Sequence, residues 1–138
     1  MKHKILLGAI AGDIIGSVYE FNHVLWKDFD LFLPYSKYTD DTVMTVANAD
    51  WLVSGDSLMG IMQEYGNKYR GAGYGGMFYK WLVSRDPQPY NSFGNGSAMR
   101  VSACGFVAKS PHSNWGCKIE SQPMCQDQPT VRQQFQIW

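Results

Sequence analysis

Apolar residues in this chain recur at the three- and four-residue spacing of amphipathic helices, and no segment alternates strongly between apolar and polar positions. Thr39 and Ser57, which are residue types that cap helices, each precede one such stretch, and Gly55 follows the first of the two. The pattern therefore predicts an all-α fold. Its helices are expected over 4–18, from 39 or 40 to about 54, from 58 to about 70, over 77–83 and over 97–109.

The second and third of these helices each present one apolar face to a core. The expected buried residues, or their neighbours, are Val43, Val46, Ala47 and Trp51 on the second helix and Leu58, Ile61, Met62 and Tyr65 on the third. Residues 21–38, which precede the second helix, are aromatic and irregular, and Pro34 breaks any long element there.

Three glycines recur at four-residue spacing in the first predicted helix, at Gly8, Gly12 and Gly16. A glycine costs about 1 kcal/mol relative to alanine inside a helix, so this spacing needs a reason. The close approach of a neighbouring helix or of a ligand would each supply one, and the sequence does not decide between them.

The last part of the chain differs from the rest. From residue 110 onward it contains Pro111, Pro123 and Pro129 and six glutamines, and its apolar residues follow neither the helical nor the strand period. We therefore expect a domain over 1–109. The tail, 110–138, is expected to be a disordered extension or the product of a reading-frame shift near Lys109.

The composition of the 138-residue chain is that of one globular domain, with 45% hydrophobic and 17% charged residues. The formal net charge is zero and the basic residues are scattered, so no patch for nucleic acid or for an anionic membrane is expected. No apolar stretch is long enough to span a bilayer. Three cysteines, an odd number without metal-ligand spacing, favour a reducing compartment and a cytoplasmic location.

Two adjacent carboxylates, Asp40 and Asp41, follow Thr39 at the start of the second predicted helix. Acids in a first turn stabilise the helix dipole, and threonine is a good N-cap, so helix capping explains the pattern. Hard cations such as magnesium also bind through one or two carboxylates, and a cation would relieve their repulsion. The two interpretations are compatible, because a capped helix end also holds its carboxylates in place.

Two further acids, Asp13 and Glu20, are seven residues apart and share a face if the first helix continues that far. A pair of carboxylates facing a pocket suits glycosidic chemistry. The alternative is a pair of solvated acids on an exposed face.

Two glycine-rich segments complete the candidate chemistry. Residues 71–76 match the dinucleotide-binding glycine pattern, but they follow a predicted helix rather than a strand, so we interpret them as a loop on the substrate side. Residues 94–96 precede a predicted helix that contains Ser97 and Arg100, whose N-terminus could hold a phosphate. A turn followed by a helix cap is the alternative for this second segment.

Taken in this order, residues 8–20, 38–42, 69–76 and 92–96 resemble motifs of the ADP-ribosylglycohydrolase family. The resemblance covers residues 5–109. It implies the N-terminal portion of an all-α bundle with two magnesium ions in its site. It also implies the hydrolysis of a ribosyl glycosidic bond, with release of ADP-ribose from a modified protein or a small conjugate.

The resemblance also implies roles for individual residues. Thr39, Asp40 and Asp41 would bind magnesium, and Glu20 with Asp41 would be catalytic. The loops that contact ADP-ribose would supply Gly73, Gly75, Ser92, Phe93, Gly94, Asn95 and Gly96.

Two motifs of the family do not occur in these 138 residues. They are the C-terminal Asp-x-Asp-Thr motif, which supplies the remaining magnesium ligands, and a histidine-proline motif. The alternative expectation is therefore a truncated, non-catalytic remnant or a weak ADP-ribose-binding fragment. A metal-dependent phosphatase that uses Asp40 and Asp41 is a third reading, for which the sequence shows no nucleophile.

Overall fold

A computed structural model of the chain describes residues 6–90 and 94–107. The regular structure in these ranges consists of six helices, with no strand. They are α1 (Leu7–Gly16), α2 (Asp40–Ser54), α3 (Leu58–Lys68), α4 (Gly76–Val83), α5 (Gly96–Met99) and α6 (Ser102–Val107). The prediction of an all-α fold is confirmed. None of these helices combines the length and the apolar content that a membrane span requires. The predicted tail, 110–138, lies outside the described residues.

Helix α2 lies at the centre of the described structure, where α1, α3, α5 and α6 all pack against it. The predicted core residues Val43, Ala47 and Trp51 are buried, whereas Val46 is only partly buried. Met44, which directly follows Val43, is fully enclosed and lies in the core instead. The apolar face predicted for α2 is therefore correct to within one residue.

Both ends of α2 form as the sequence predicts. Thr39 is the N-cap, and Gly55 ends the helix with φ +76°, a left-handed conformation that disfavours residues with a side chain. Two residues later, Ser57 caps α3 by accepting a hydrogen bond from the N–H of Gly60 at 3.3 Å. Helix α3 then buries the predicted Leu58, Ile61 and Met62, and Tyr65 packs against the edge of the core.

Helix α4 packs on α3 at a point where α3 has no side chain. Gly66 is buried, and a Cβ on it would lie 2.7 Å from Cδ1 of Leu82. Leu82 is 2% exposed and is held by surrounding atoms, so it has no free space to move into. Gln63 and Asn67 on α3 donate side-chain N–H groups to carbonyl oxygens at the C-terminal end of α4, at 2.9 to 3.3 Å. The backbone of α4 is therefore anchored to α3 by both packing and hydrogen bonds.

The helix expected over 97–109 is wrong in its continuity, because a turn at 100–101 separates α5 from α6. The side chain of Asn48 on α2 donates to the carbonyl oxygen of Arg100 at 2.8 Å. In a continuous helix that carbonyl would accept from the N–H of Cys104, which instead donates one residue further along. A buried polar side chain of α2 thus takes the place of a helical hydrogen bond.

Helix α1 also differs from its prediction. It ends at Gly16, two residues early, and none of its residues is fully buried. A Cβ on Gly8, Gly12 or Gly16 would meet no atom within 4 Å. Within the described residues, close helix packing is therefore the wrong explanation for the glycine spacing.

The irregular segment between α1 and α2, 21–38, forms neither a helix nor a strand, as predicted. The Oη of Tyr19 donates to the carbonyl oxygen of Asp30 at 2.6 Å, and the N–H of Lys37 donates to Oγ of Ser17 at 3.1 Å. These bonds hold the segment against the end of α1. Its exposed large apolar side chains include Phe21, Leu25, Trp26, Leu31, Phe32 and Tyr35.

The contact between α3 and α4 gives a test of the fold. We expect Gly66→Ala to destabilise the protein by about 1–3 kcal/mol, because the new methyl group overlaps the enclosed Leu82 side chain. Gly60→Ala is the matched control. Its Cβ would meet only Ser57, at an ordinary 3.7 Å, so relief of the helical glycine cost should leave stability unchanged or higher. Thermal unfolding of both variants measures the difference, and equal melting temperatures would contradict this packing.

Candidate active site

A cavity of about 510 Å³ opens where α1 ends and α2 begins. Four parts of the chain form its walls: the end of α1 with the residues after it, the N-terminus of α2, the loop before α4, and the start of α5. Its volume is in the range typical of small-molecule sites. The lining residues are Gly12, Asp13, Gly16, Ser17, Glu20, Thr39, Asp40, Asp41, Gly73, Gly75, Asn95 and Met99.

Most of the site residues named from the sequence meet at this cavity. They are Glu20, Thr39, Asp40, Asp41, Gly73, Gly75 and Asn95. Gly94 and Gly96 lie beside it without lining it, and Ser92 and Phe93 lie outside the described residues. Ser17 and Met99 also line the cavity, although sequence reasoning gave them no role. Gly12 and Gly16 face the cavity, so the ligand explanation for the glycine spacing of α1 stays a prediction.

The N-terminus of α2 is built around Thr39. This residue has an extended backbone, and its Oγ1 accepts a hydrogen bond from the N–H of Asp41 at 3.3 Å. Asp40 and Asp41 then occupy the first turn, where the helix dipole favours negative charge. The capping interpretation of this motif is confirmed, and both carboxylates line the cavity.

Asp13 ties α1 to the same helix end. Its carboxylate accepts four hydrogen bonds: from the N–H and Oγ1 of Thr39 at 2.8 and 2.5 Å, and from the N–H and Oγ1 of Thr42 at 3.1 and 2.5 Å. A carboxylate from a different helix therefore satisfies two backbone donors at the start of α2. Sequence reasoning missed this role. The available signal was the pair of threonines three residues apart at a helix start.

The predicted pairing of Asp13 with Glu20 is correct in one respect only. Both residues line the cavity, but α1 ends at Gly16, so they do not share a helix face. The oxygens of Asp13 are occupied by the start of α2, whereas Glu20 is exposed at the cavity. Glu20 is therefore the one of the two acids that a substrate in the cavity could reach.

The two carboxylates in the first turn of α2 have raised pKa values. Burial raises the pKa of Asp40 to about 6, and the charges of Asp41, Asp13 and Glu20 act in the same direction. The pKa of Asp41 is also raised, first by burial and then by Asp13 and Glu20. The described residues that line the cavity include four carboxylates and no lysine or arginine.

The donor set at this position suits a hard cation. Thr39, Asp40 and Asp41 offer a hydroxyl and two carboxylates, and magnesium in proteins commonly takes one or two carboxylates together with several waters. Within 6–90 and 94–107, no group of three or more His, Cys, Asp or Glu side chains is placed to hold a metal ion. These three residues would therefore form only part of a coordination shell, with water or substrate completing it.

The glycine loop before α4 reaches the cavity through Gly73 and Gly75. Gly73 has φ +100°, and a Cβ on it would lie 3.9 Å from Oδ1 of Asp40. The loop follows helix α3 rather than a strand, which confirms that its glycine pattern is not a dinucleotide-binding motif. Gly75 is the N-cap of α4, so the loop gives the cavity a wall of exposed backbone.

The phosphate site expected at residues 94–96 needs correction. Helix α5, which follows it, is only four residues long, so it lacks the aligned peptide dipoles of the predicted longer helix. Asn95 is its N-cap without a side-chain capping bond, and it does line the cavity. A role for Asn95 in binding substrate therefore depends on its side chain or a single N–H, not on a helix dipole.

Comparison with known proteins identifies one family. The sequence model for ADP-ribosylglycohydrolase matches residues 3–116 of this chain. No curated protein and no solved structure gives a significant match.

The contact of Asp13 with α2 can be tested by one isosteric change. Asp13→Asn removes the charge and half of the acceptor capacity, so we expect a loss of about 2–3 kcal/mol in the free energy of unfolding. Asp28→Asn is the control, because Asp28 is exposed on the loop. Chemical denaturation measures both variants. A stability for Asp13→Asn equal to that of the control would show that this carboxylate does not anchor α2.

The raised pKa of Asp40 predicts a pH dependence of stability. Because its folded-state pKa of about 6 exceeds the ordinary value of 3.8, the stability contributed by its proton is complete below pH 3.8 and is lost as pH rises through about 6. The Asn side chain of Asp40→Asn does not titrate. As pH rises from 3.8 to about 6, the free energy of unfolding of this variant should therefore increase by about 1–2 kcal/mol relative to the parent, allowing for solvent screening of the half-exposed carboxylate.

Thermal unfolding in EDTA at several pH values makes this comparison. Asp56→Asn, on the exposed turn between α2 and α3, should track the parent protein. A constant difference between Asp40→Asn and the parent across the whole range would contradict the assigned pKa.

Proposed function

This chain belongs to the ADP-ribosylglycohydrolase family, and on that basis we propose that it hydrolyses the glycosidic bond between ADP-ribose and a modified acceptor. The products would be free ADP-ribose and the unmodified acceptor. The observation that carries this proposal is the cavity at the start of α2. It is lined by Asn95 and by residues from three of the segments that resemble family motifs, 8–20, 38–42 and 69–76.

We further propose that Thr39, Asp40 and Asp41 hold magnesium. When bound, the ion would supply Lewis acidity and a fixed geometry for ribose hydroxyls and a water molecule. The raised pKa values of Asp40 and Asp41 support this assignment, because a divalent cation would stabilise both charged forms. Asp41 would also serve the reaction directly, by orienting the groups that react at the ribose.

Glu20 is the proposed acid–base residue. It is an exposed carboxylate that lines the cavity, and its oxygens are not committed to the start of α2 as those of Asp13 are. In the reaction the bond from the ribose C1 to the acceptor breaks, a bond from C1 to the water oxygen forms, and a proton passes from the water to the acceptor. In this proposal Glu20 would accept or pass on that proton.

The substrate-binding residues follow from the walls of the cavity. The backbone at Gly73 and Gly75 would allow the diphosphate to approach closely, since neither residue carries a side chain. Asn95 would contribute an amide that can both donate and accept hydrogen bonds. The acceptor would be a protein or a small conjugate. The cysteine content of the chain favours the cytoplasm as the compartment of this protein.

A second candidate function is the binding of ADP-ribose without cleavage. The observation that favours it is the small donor set, which has two carboxylates among its three proposed ligands. If this set held a cation too weakly, the cavity would still accept the nucleotide but would not activate water. Calorimetric titration with ADP-ribose, run beside the hydrolysis assay, separates the two functions.

Release of ADP-ribose from an ADP-ribosylated protein in the presence of magnesium tests the first proposal. Asp41→Asn and Glu20→Gln should each lower the rate by about a hundredfold or more, because one removes a proposed cation ligand and the other an acid–base group. Removal of the metal with EDTA should abolish the release seen with the parent chain.

Two exposed acids away from the cavity, Asp56 and Glu64, supply controls of the same chemistry. Asp56→Asn and Glu64→Gln should retain the parent rate. Equal rates for all four variants would exclude the proposed site. Tight binding of ADP-ribose with no release by the parent would favour the second function.

A further inference from the structure

Tyr74 carries a hydroxyl group that the fold leaves without a partner. Its Oη atom is buried and makes no hydrogen bond within the described structure, although part of the side chain is exposed. Buried polar atoms in proteins are nearly always paired, and each exception requires an explanation. One such explanation is a partner that comes into position only when a ligand or ion is bound.

The location of Tyr74 connects this hydroxyl with the candidate site. Gly73 and Gly75, on either side of it, both line the cavity. The backbone at Gly73 lies beside the Asp40 side chain, since a Cβ there would be in ordinary contact with Oδ1 of Asp40, at 3.9 Å. The Tyr74 ring packs against Phe78, with centroids 5.7 Å apart, so packing rather than hydrogen bonding holds the side chain.

The charge acting on this hydroxyl comes from the site as well. Burial raises the pKa of Tyr74 to about 12, and Asp40 and Tyr38 act in the same direction. A tyrosine phenol keeps its proton at neutral pH even at its ordinary pKa, so this hydroxyl can donate a hydrogen bond. The carboxylate of Asp40 is an acceptor of the matching chemistry beside the loop.

We propose that Tyr74 is a positioning residue for Asp40. With a divalent cation in the site, the Tyr74 hydroxyl donates to the Asp40 carboxylate and holds that side chain in the orientation that binds the cation. This inference rests on the proposed function, because it takes Asp40 as a cation ligand. It assigns to the glycine loop a part in cation binding as well as in substrate binding.

Tyr74→Phe removes the hydroxyl and keeps the ring that packs against Phe78. Titration of the full chain with Mn²⁺, followed by electron paramagnetic resonance, should show a dissociation constant raised about tenfold, the factor expected for a hydrogen bond to a charged group. In EDTA, the melting temperature of this variant should be unchanged or higher, because the hydroxyl has no partner there. Tyr79→Phe, at an exposed position of α4, should change neither quantity.

A purely structural role for the hydroxyl would give the opposite result: a lower melting temperature in EDTA and an unchanged affinity for Mn²⁺. That result would overturn the inference. If the parent chain binds no Mn²⁺, both the inference and the proposed metal site fail. If it binds Mn²⁺ but releases no ADP-ribose, the proposed hydrolysis fails while the inference is still decided by the two variants.

A second measurement does not depend on the folding of the Tyr74→Phe variant. Incorporation of 3-fluorotyrosine at position 74 of the otherwise unchanged chain places a ¹⁹F probe beside the hydroxyl. Addition of Mg²⁺ should move its resonance, with fluorotyrosine at position 79 as the unmoved control. Binding of Mg²⁺ seen by calorimetry without a shift at position 74 would contradict the inference.

Discussion

The candidate site depends on the attachment of one carboxylate to a neighbouring helix end. Helix α1 has no fully buried residue, so apolar packing gives it little hold on the rest of the structure. Its firm connection is the set of four hydrogen bonds that Asp13 accepts from Thr39 and Thr42. These bonds align the end of α1, and with it Glu20, relative to Asp40 and Asp41. Without them, the cavity would lose one of its walls.

The same helix end combines stabilising and destabilising effects. The dipole of α2 and the Thr39 cap favour acids in the first turn, whereas burial and the charges of neighbouring carboxylates raise the pKa of Asp40 and Asp41. Four carboxylates around one cavity are a poor choice for stability alone. Such an arrangement is typical of sites where function outweighs stability, because a bound cation would remove the repulsion.

Short sequence patterns predicted the parts of the fold that depend on interactions between residues close together in the chain. The helical period placed α2 and α3 and most of their buried residues, and the residue types at Thr39, Gly55 and Ser57 marked their ends. The candidate site was also largely predictable, because seven of its lining residues had been assigned to it from motifs that are recognisable as short segments. These motifs identify the residues but not the contacts between them.

These patterns did not predict contacts between residues that lie far apart in the sequence. At the break between α5 and α6, the carbonyl of Arg100 accepts a hydrogen bond from Asn48, which lies 52 positions before it. Gly66 packs closely against a neighbouring helix, whereas a Cβ on any glycine of the regular series in α1 would meet no atom within 4 Å among the described residues. Asp13 looked like a solvated or catalytic acid because nothing near it in sequence indicates the two threonines that it binds.

The segment over 21–38 is attached to the end of α1 through backbone groups at its middle and near its C-terminal end. At its middle the hydroxyl of Tyr19 donates to the carbonyl oxygen of Asp30, and near its end the N–H of Lys37 donates to Oγ of Ser17. Because the segment makes both bonds through its backbone, natural variation can alter exposed side chains such as Leu25 and Trp26 while the residues that line the cavity keep their places. In evolutionary terms, the outer surface beside the cavity and the chemistry within it can diverge at separate rates.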